Sequence, residues 1–163
     1  VRVPANNLVG AEGMGFIMMM QKLPQERLGA AVSNIANAKQ ILAETIQYAK
    51  DRKAFGFPIG TFQHNKFKIA EMVTSIEVAE AYIDDCVVAH AAGTLSAVDA
   101  AKAKWWSSQV QCDVLDECVQ LHGGYGFMNE YRVARAWKDA RVHMIWAGTN
   151  EIMKELIGRD LGL

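Results

Sequence analysis

Proline is scarce, three residues in a chain of 163, and runs in which β-branched residues alternate with polar ones are scarcer still. Few enforced breaks and no sheet pattern point to an all-α domain. Cysteine also numbers three: Cys86, Cys112 and Cys118. The odd count and the spacings exclude a closed disulfide framework and a cysteine zinc centre, and leave reduced, small core residues of an intracellular protein. Neither sign of charge is in excess. The net charge is −1, with no basic stripe, so nucleic acid is not an expected partner. The apolar run Phe16–Met20 is far too short to cross a bilayer, and no secretory leader is visible. A Walker sequence, Gly-x-Ser-x-Gly, Cys-x-x-Cys and paired Glu-x-x-His are all missing. With them go the signatures of P-loop, serine-hydrolase, thiol-redox and di-metal chemistry. What remains is 51% hydrophobic and 21% charged residues, the balance of an ordinary globular protein, at a length that suits one domain with a real core.

The organising stretch is Leu23–Arg52, expected as one long helix. Pro24 suits a first turn, where its missing N–H would have no partner, and Glu26 follows in that turn, where the helix dipole favours an anion. Leu28, Val32, Ile35, Leu42, Ile46 and Ala49 recur at spacings of three, four and seven, a buried helical stripe. Asn37, Gln40, Glu44, Gln47 and Asp51 fall on another face. Glu26 and Arg52 would stand roughly 40 Å apart on this rod at ~1.5 Å per residue, so the helix would have to serve two sites.

Before it, residues 1–14 read as turn and loop, and Gly15–Lys22 as a short separate helix with a Met18–Met20 cluster. After it, Gly56, Pro58 and Gly60 mark a short link at 53–61. A second helix is expected over Phe62–Ala92, with a stripe from Ile69 to Cys86 and His90 at its end. Ser96 with Asp99 is a capping box for a third helix, whose stripe is Val98, Ala101, Trp105, Ser108, Cys112, Leu115, Val119 and His122, and which Gly123-Gly124 ends. A short helix is expected at Asn129–Trp137. Asp139–Trp146 fits either helix or loop, and a last helix covers Asn150–Arg159 with Thr149 as N-cap. Three long amphipathic helices and a shorter one joined by tight links predict an antiparallel four-helix bundle.

Taken singly, the candidate residues have plain explanations. An acid such as Glu26 in a first turn is a dipole or capping device, Arg52 at a helix C-terminus complements the dipole, and Gly123-Gly124 stops a helix. In combination they say more. LPQERL, DRKAFGFPIGTFQ, QLHGGYGF and DARVHMIWAGTNEI stand in this order, and together they closely resemble the C-terminal helical domain of the acyl-CoA dehydrogenases, over essentially the whole chain. The resemblance implies that residues 1–14 are the tail of a truncated preceding β domain and 15–163 the C-terminal bundle. It implies FAD held between subunits. Arg52 matches an arginine that meets the flavin pyrophosphate of a neighbouring subunit, and Phe55 and Gln63 match residues lining the adenosine half. Gln120, Gly123 and Gly124 match a segment whose backbone approaches the same dinucleotide. Thr149 and Glu151 match positions touching the dinucleotide of their own subunit. Arg27 matches an arginine near the catalytic pocket, and Gly148 a residue beside the acyl thioester.

One position departs from the commonest family pattern. Where most members carry a catalytic glutamate just before the Gly-Thr pair, this chain has Ala147. A smaller group, including the long-chain and isovaleryl enzymes, places the base in the long helix, and Glu26 falls on that position. The implied chemistry is α,β-dehydrogenation of a fatty acyl-CoA, with Glu26 removing the α proton and the N–H of Ala147 receiving the thioester oxygen as enolate charge grows. The resemblance further implies an electron-transferring flavoprotein as electron acceptor, a homotetramer or homodimer, no membrane partner, and a bacterial cytoplasm or mitochondrial matrix as location. A long-chain substrate is the first reading. A branched short-chain (isovaleryl-like) dehydrogenase, or a non-catalytic helical module that holds subunits together, remain as alternatives.

Overall fold

The computed structural model describes residues 1–163. Five helices follow in order: α1 Gly15–Asp51, α2 Gln63–Ala91, α3 Ala97–His122, α4 Arg132–Ala140 and α5 Asn150–Asp160. Between α1 and α2 lies a minimal antiparallel hairpin, β1 Lys53–Ala54 and β2 Phe57–Pro58. Residues 1–14 are exposed and hold one 3-10 turn at Ala5–Asn7.

The long helix departs from expectation at its start. Gly15–Lys22 is not a separate helix but the beginning of α1, and Pro24 lies inside. An interior proline removes only one ladder bond, and the residues around it, Met18–Leu23 and Gln25–Leu28, are mostly good helix formers, so one rod survives a local penalty of about 3 kcal/mol. Glu26 is consequently in mid-helix, and its expected role as a first-turn dipole partner does not hold.

Side-chain links fix the directions. Asn34 bonds Ser107 and Gln111 bonds Asn37, while Tyr48 reaches the carbonyl of His122, so residue numbers rise together and α1 and α3 are parallel. Lys39 pairs with Glu80, and Lys68 with Glu117; α2 therefore runs antiparallel to both. α4 and α5 share the remaining flank of α3. The result is the all-α bundle that the periodicity predicted.

The seam between α1 and α3 is lined by small residues. Ala31, Asn34, Ala38 and Thr45 are buried on α1, as are Ala100, Ala103, Ser107 and Ser108 on α3, which lets the two backbones approach. Larger apolar groups, Leu28, Ile35, Ile41, Leu42, Met72, Ile76, Ile83, Val110, Val114 and Leu115, fill the core around it. Val32, expected in the α1 stripe, is instead exposed, because the buried face centres on the small residues one turn-position away. Cys86 and Cys118 are buried, Cys112 is half-buried, and all three are free. Ser96 caps α3, its hydroxyl accepting from the Asp99 N–H at 3.0 Å and donating to the Asp99 carboxylate at 2.6 Å, in place of the reciprocal backbone bond of a full capping box.

Candidate functional site

The bundle gathers the candidate residues at two separate places, one toward each end of α1. The first lies where α1, α3 and the start of α5 meet. Arg27 is almost fully buried and donates through Nε to the carbonyl of Ala147 at 3.1 Å. Its chain neighbour Glu26 is exposed, and no cation of the chain lies within ion-pair reach of it. With no cap to make and no ion-pair partner to hold, Glu26 is a free carboxylate one residue before the arginine that bonds the 147–148 loop.

That loop has an unusual backbone. Ala147 has φ +54° and Gly148 φ +97°. For alanine this left-handed conformation costs roughly 1–3 kcal/mol. The φ of Gly148 favours glycine, and a Cβ there would also push on the terminal methyl of Met153, 2.6 Å away. The N–H groups of Ala147 and Gly148 have no backbone acceptor. Thr149 caps α5 as expected, its hydroxyl accepting from the Ile152 N–H at 3.3 Å. Glu151 follows in the first turn, and its carboxyl is held below the usual range, first by its own backbone N–H and then by the Thr149 hydroxyl.

Sequence reasoning missed the groups that fasten this loop from behind. Lys104 on α3 is fully buried, and its ammonium donates to the Gly148 carbonyl at 2.7 Å and to Asn150 Oδ1 at 3.0 Å. Ser108 donates to the same Asn150 oxygen at 3.0 Å. Behind them His143 hydrogen-bonds Asn34, which bonds Ser107. Burial, reinforced by the charge of Arg27 and opposed by Glu151, pulls Lys104 down to about 8. Burial also lowers Arg27, and burial together with Lys104 lowers His143. The signal was available: Lys104 sits at helical spacing from Ala100, Ala101, Ser108 and Gln111, a lysine on the inward face of α3.

The second place is some 25 residues along α1. Tyr48, Arg52, Ile59, Gln120, Gly123 and Gly124 are among the residues lining a concavity of about 550 Å³. Arg52 caps α1, pairs with no carboxylate, and lies over the Tyr125 ring at 5.5 Å. Tyr48 stacks on His122 with centroids 4.1 Å apart. Gly123 ends α3 at φ +59°. Gly124 has no such requirement, and a Cβ on either glycine would meet nothing in the chain. An open glycine face beside an unpaired guanidinium fits a phosphate-bearing group approaching closely from outside. Phe55 and Gly56 form a two-residue hairpin turn with φ +53° and +86°, the primed geometry that matches strand twist. Phe55 is 93% exposed at its tip, touching Phe62 edge-on, and Gln63 opens α2 beside it. The structure thus joins Arg52 with Gln120, Gly123 and Gly124, joins Arg27 with Ala147 and Gly148, and puts Thr149 and Glu151 at the first place rather than the second.

The family profile described as "Acyl-CoA dehydrogenase, C-terminal domain" matches residues 13–162. A long-chain specific mitochondrial acyl-CoA dehydrogenase of Mus musculus is 48% identical over 161 residues, which are 99% of this chain and 37% of that protein. A crystal structure of an acyl-CoA dehydrogenase from Geobacillus kaustophilus superposes with a TM-score of 0.95 at 44% identity, covering 99% of this chain and 42% of that one. Another from Bacillus anthracis, complexed with FAD, gives 0.91 at 32% identity, covering 98% and 31%. The chain spans about two fifths or less of the length of each, and over that span it belongs to the acyl-CoA dehydrogenase C-terminal domain family.

Proposed function

We propose that this chain is the C-terminal part of an FAD-dependent acyl-CoA dehydrogenase that converts a long-chain acyl-CoA to its trans-2-enoyl thioester, with Glu26 as the base. The observation that carries this reading is the Arg27–Ala147 bond, which ties the residue after Glu26 to the loop whose Ala147 N–H has no backbone acceptor. An α proton beside a thioester is weakly acidic. Its removal needs a fixed base and a donor to the carbonyl oxygen where charge collects, and Glu26 and the Ala147 N–H supply one each. Replacing the usual glutamate by alanine at 147 keeps that N–H. When bound, FAD supplies the hydride acceptor for the β carbon. Arg52, Gln120, Gly123 and Gly124 would hold its phosphate-bearing part, with Phe55 and Gln63 toward the adenosine, and Thr149 and Glu151 would contact a second copy of it. Residues 1–14 would lead from a preceding β domain. A homotetramer or homodimer would complete each cofactor site, and an electron-transferring flavoprotein would take up the electrons, in a bacterial cytoplasm or mitochondrial matrix.

The test is Glu26→Gln in the full-length protein. It should fold and bind cofactor and acyl-CoA, yet lose turnover by at least ~10²-fold, the scale of a positioned general base. Ala147→Glu added to it should restore part of the rate. Near-normal turnover by Glu26→Gln would refute the assignment. A chain-length series including isovaleryl-CoA distinguishes the long-chain from the branched reading. Exposed side chains such as Phe16, Phe55 and Phe127 favour the purely assembling reading, which flavin absorbance in the purified full-length protein would exclude.

A further inference from the structure

Lys104 is an expensive group to bury. It is fully enclosed and bonds no carboxylate; its acceptors are two neutral oxygens, Gly148 O and Asn150 Oδ1. A buried ammonium without a counter-charge is unfavourable for the fold, and the site is larger than the lysine alone. Arg27, from the other helix of the seam, holds the preceding carbonyl, Ala147 O, at 3.1 Å. Two cations thus hold two successive carbonyls. Asn150, bonded also by Ser108 Oγ and donating to Trp105 O at 3.4 Å, ties the start of α5 to α3. With the carbonyls and the α5 N-terminus fixed, Ala147 stays at φ +54° and its N–H has no backbone acceptor. The charged and titratable groups around Lys104 are Arg27, Glu151 and His143. Of these only Glu151 is negative, and it is exposed, so the positive charge behind the loop is not neutralised inside the protein.

Resting on the reading above, we propose that Lys104 is a positioning residue for α-proton abstraction: with Arg27 it clamps the 147–148 carbonyls inward, fixes the Ala147 N–H for the thioester oxygen, and lends positive charge to the enolate. In that step the α C–H bond breaks, the proton passes to the Glu26 carboxylate, and the electron pair moves onto the thioester oxygen. Lys104 does not touch the substrate; it acts through the loop. It would do so on any acyl chain, so its effect should not depend on chain length.

The test uses the full-length protein and a 3-thiaacyl-CoA, which has sulfur in place of the hydride-donating carbon and so reports loss of the α proton alone, through the long-wavelength charge-transfer band of enolate against oxidised flavin. Two variants are compared with the wild type. Lys104→Met removes the charge. Asn150→Asp keeps the oxygen that Lys104 and Ser108 bond and places a negative charge beside the ammonium, in a nearly isosteric side chain. Each should raise the apparent pKa of the bound analogue by at least about one unit, tenfold in the enolate equilibrium, with its dissociation constant changed by less than about threefold. With true substrates, kcat should fall at least about tenfold at nearly constant KM, for short and long chains alike. If Lys104→Met does not fold, Asn150→Asp decides. Enolate formation and kcat within about twofold of wild type in the variants that fold would overturn the proposal, as would loss of folding or of bound flavin by Asn150→Asp without an enolate shift. A wild-type protein that neither forms the enolate nor oxidises any acyl-CoA would instead sink the functional reading on which it rests.

Discussion

Lys104 and Glu26 show how little a residue's type says about its work. Both carry one charge on a long helix. Glu26 is exposed with no ion-pair partner, and Lys104 is fully buried against neutral oxygens. The buried state of Lys104 leaves a signature in stability. Its ordinary value of 10.5 falls to about 8 in the folded chain, chiefly by burial. Between those values the unfolded chain binds more protons than the folded one, so this group's contribution to stability rises with pH across the window from about 8 to 10.5 and is flat below it. The ammonium's desolvation penalty is therefore fully present at neutral pH and relieved in alkali. Unfolding the wild type and Lys104→Met in denaturant across that window should show the stability difference moving in favour of the wild type as pH rises. A pH-independent difference would mean that the lysine titrates in the folded state as it does in the unfolded chain, and so is solvated there.

At the scale of elements, α1 departs most from the local signals in its sequence. Proline favours the first turn of a helix, so the sequence predicts a start at Pro24. Whether a helix extends upstream of proline depends on what flanks it, and Gly15–Leu23 continues the rod. Pro24→Ala restores the N–H that the interior position lacks, and should raise stability by about 1–3 kcal/mol in thermal unfolding. No gain would indicate that a bend at Pro24 is needed by the packing of the first three turns. The hairpin at Phe55-Gly56 is also more than the plain link its residues predict. The sequence marked 53–61 as a link, and two successive positive φ angles make it a primed turn that lifts Phe55 away from the bundle. The N-caps at Ser96 and Thr149 form as the sequence predicts, because a cap is a local hydrogen bond between residues three apart and needs no tertiary context.

At the scale of the whole molecule, the surface carries more exposed aromatic and aliphatic side chains than a bundle standing alone would need. Phe16, Ile17, Met19 and Met20 lie along the start of α1, with Phe55 and Phe57 on the hairpin and Phe127 after α3. Patches of this kind mark surfaces that are covered in the working assembly. The chain by itself should therefore associate. Light scattering across a concentration series should give a dimer or tetramer, and a mass that stays monomeric at high concentration would count against covering by like subunits. None of this requires a membrane, and no helix is long and apolar enough to cross one.

Periodicity, capping pairs and glycine stops determined the helices, their order and the bundle, because each depends on residues within a turn or two of one another. The family resemblance carried by LPQERL, QLHGGYGF and AGTNEI is what implies the two candidate places; composition and spacing alone imply only a bundle. Only the tertiary structure decided what stands behind them. It made α1 continuous, so that Glu26 is a mid-helix carboxylate rather than a cap. It rotated the buried face onto Ala31, Asn34 and Ala38, and it set Lys104 and Arg27, 77 positions apart in the sequence, on successive carbonyls of one loop. Whether an inward lysine is a fault or a clamp depends on which oxygens it meets, and those come from a segment more than forty residues away, brought near by the packing of α5 on α3 and not by any local propensity.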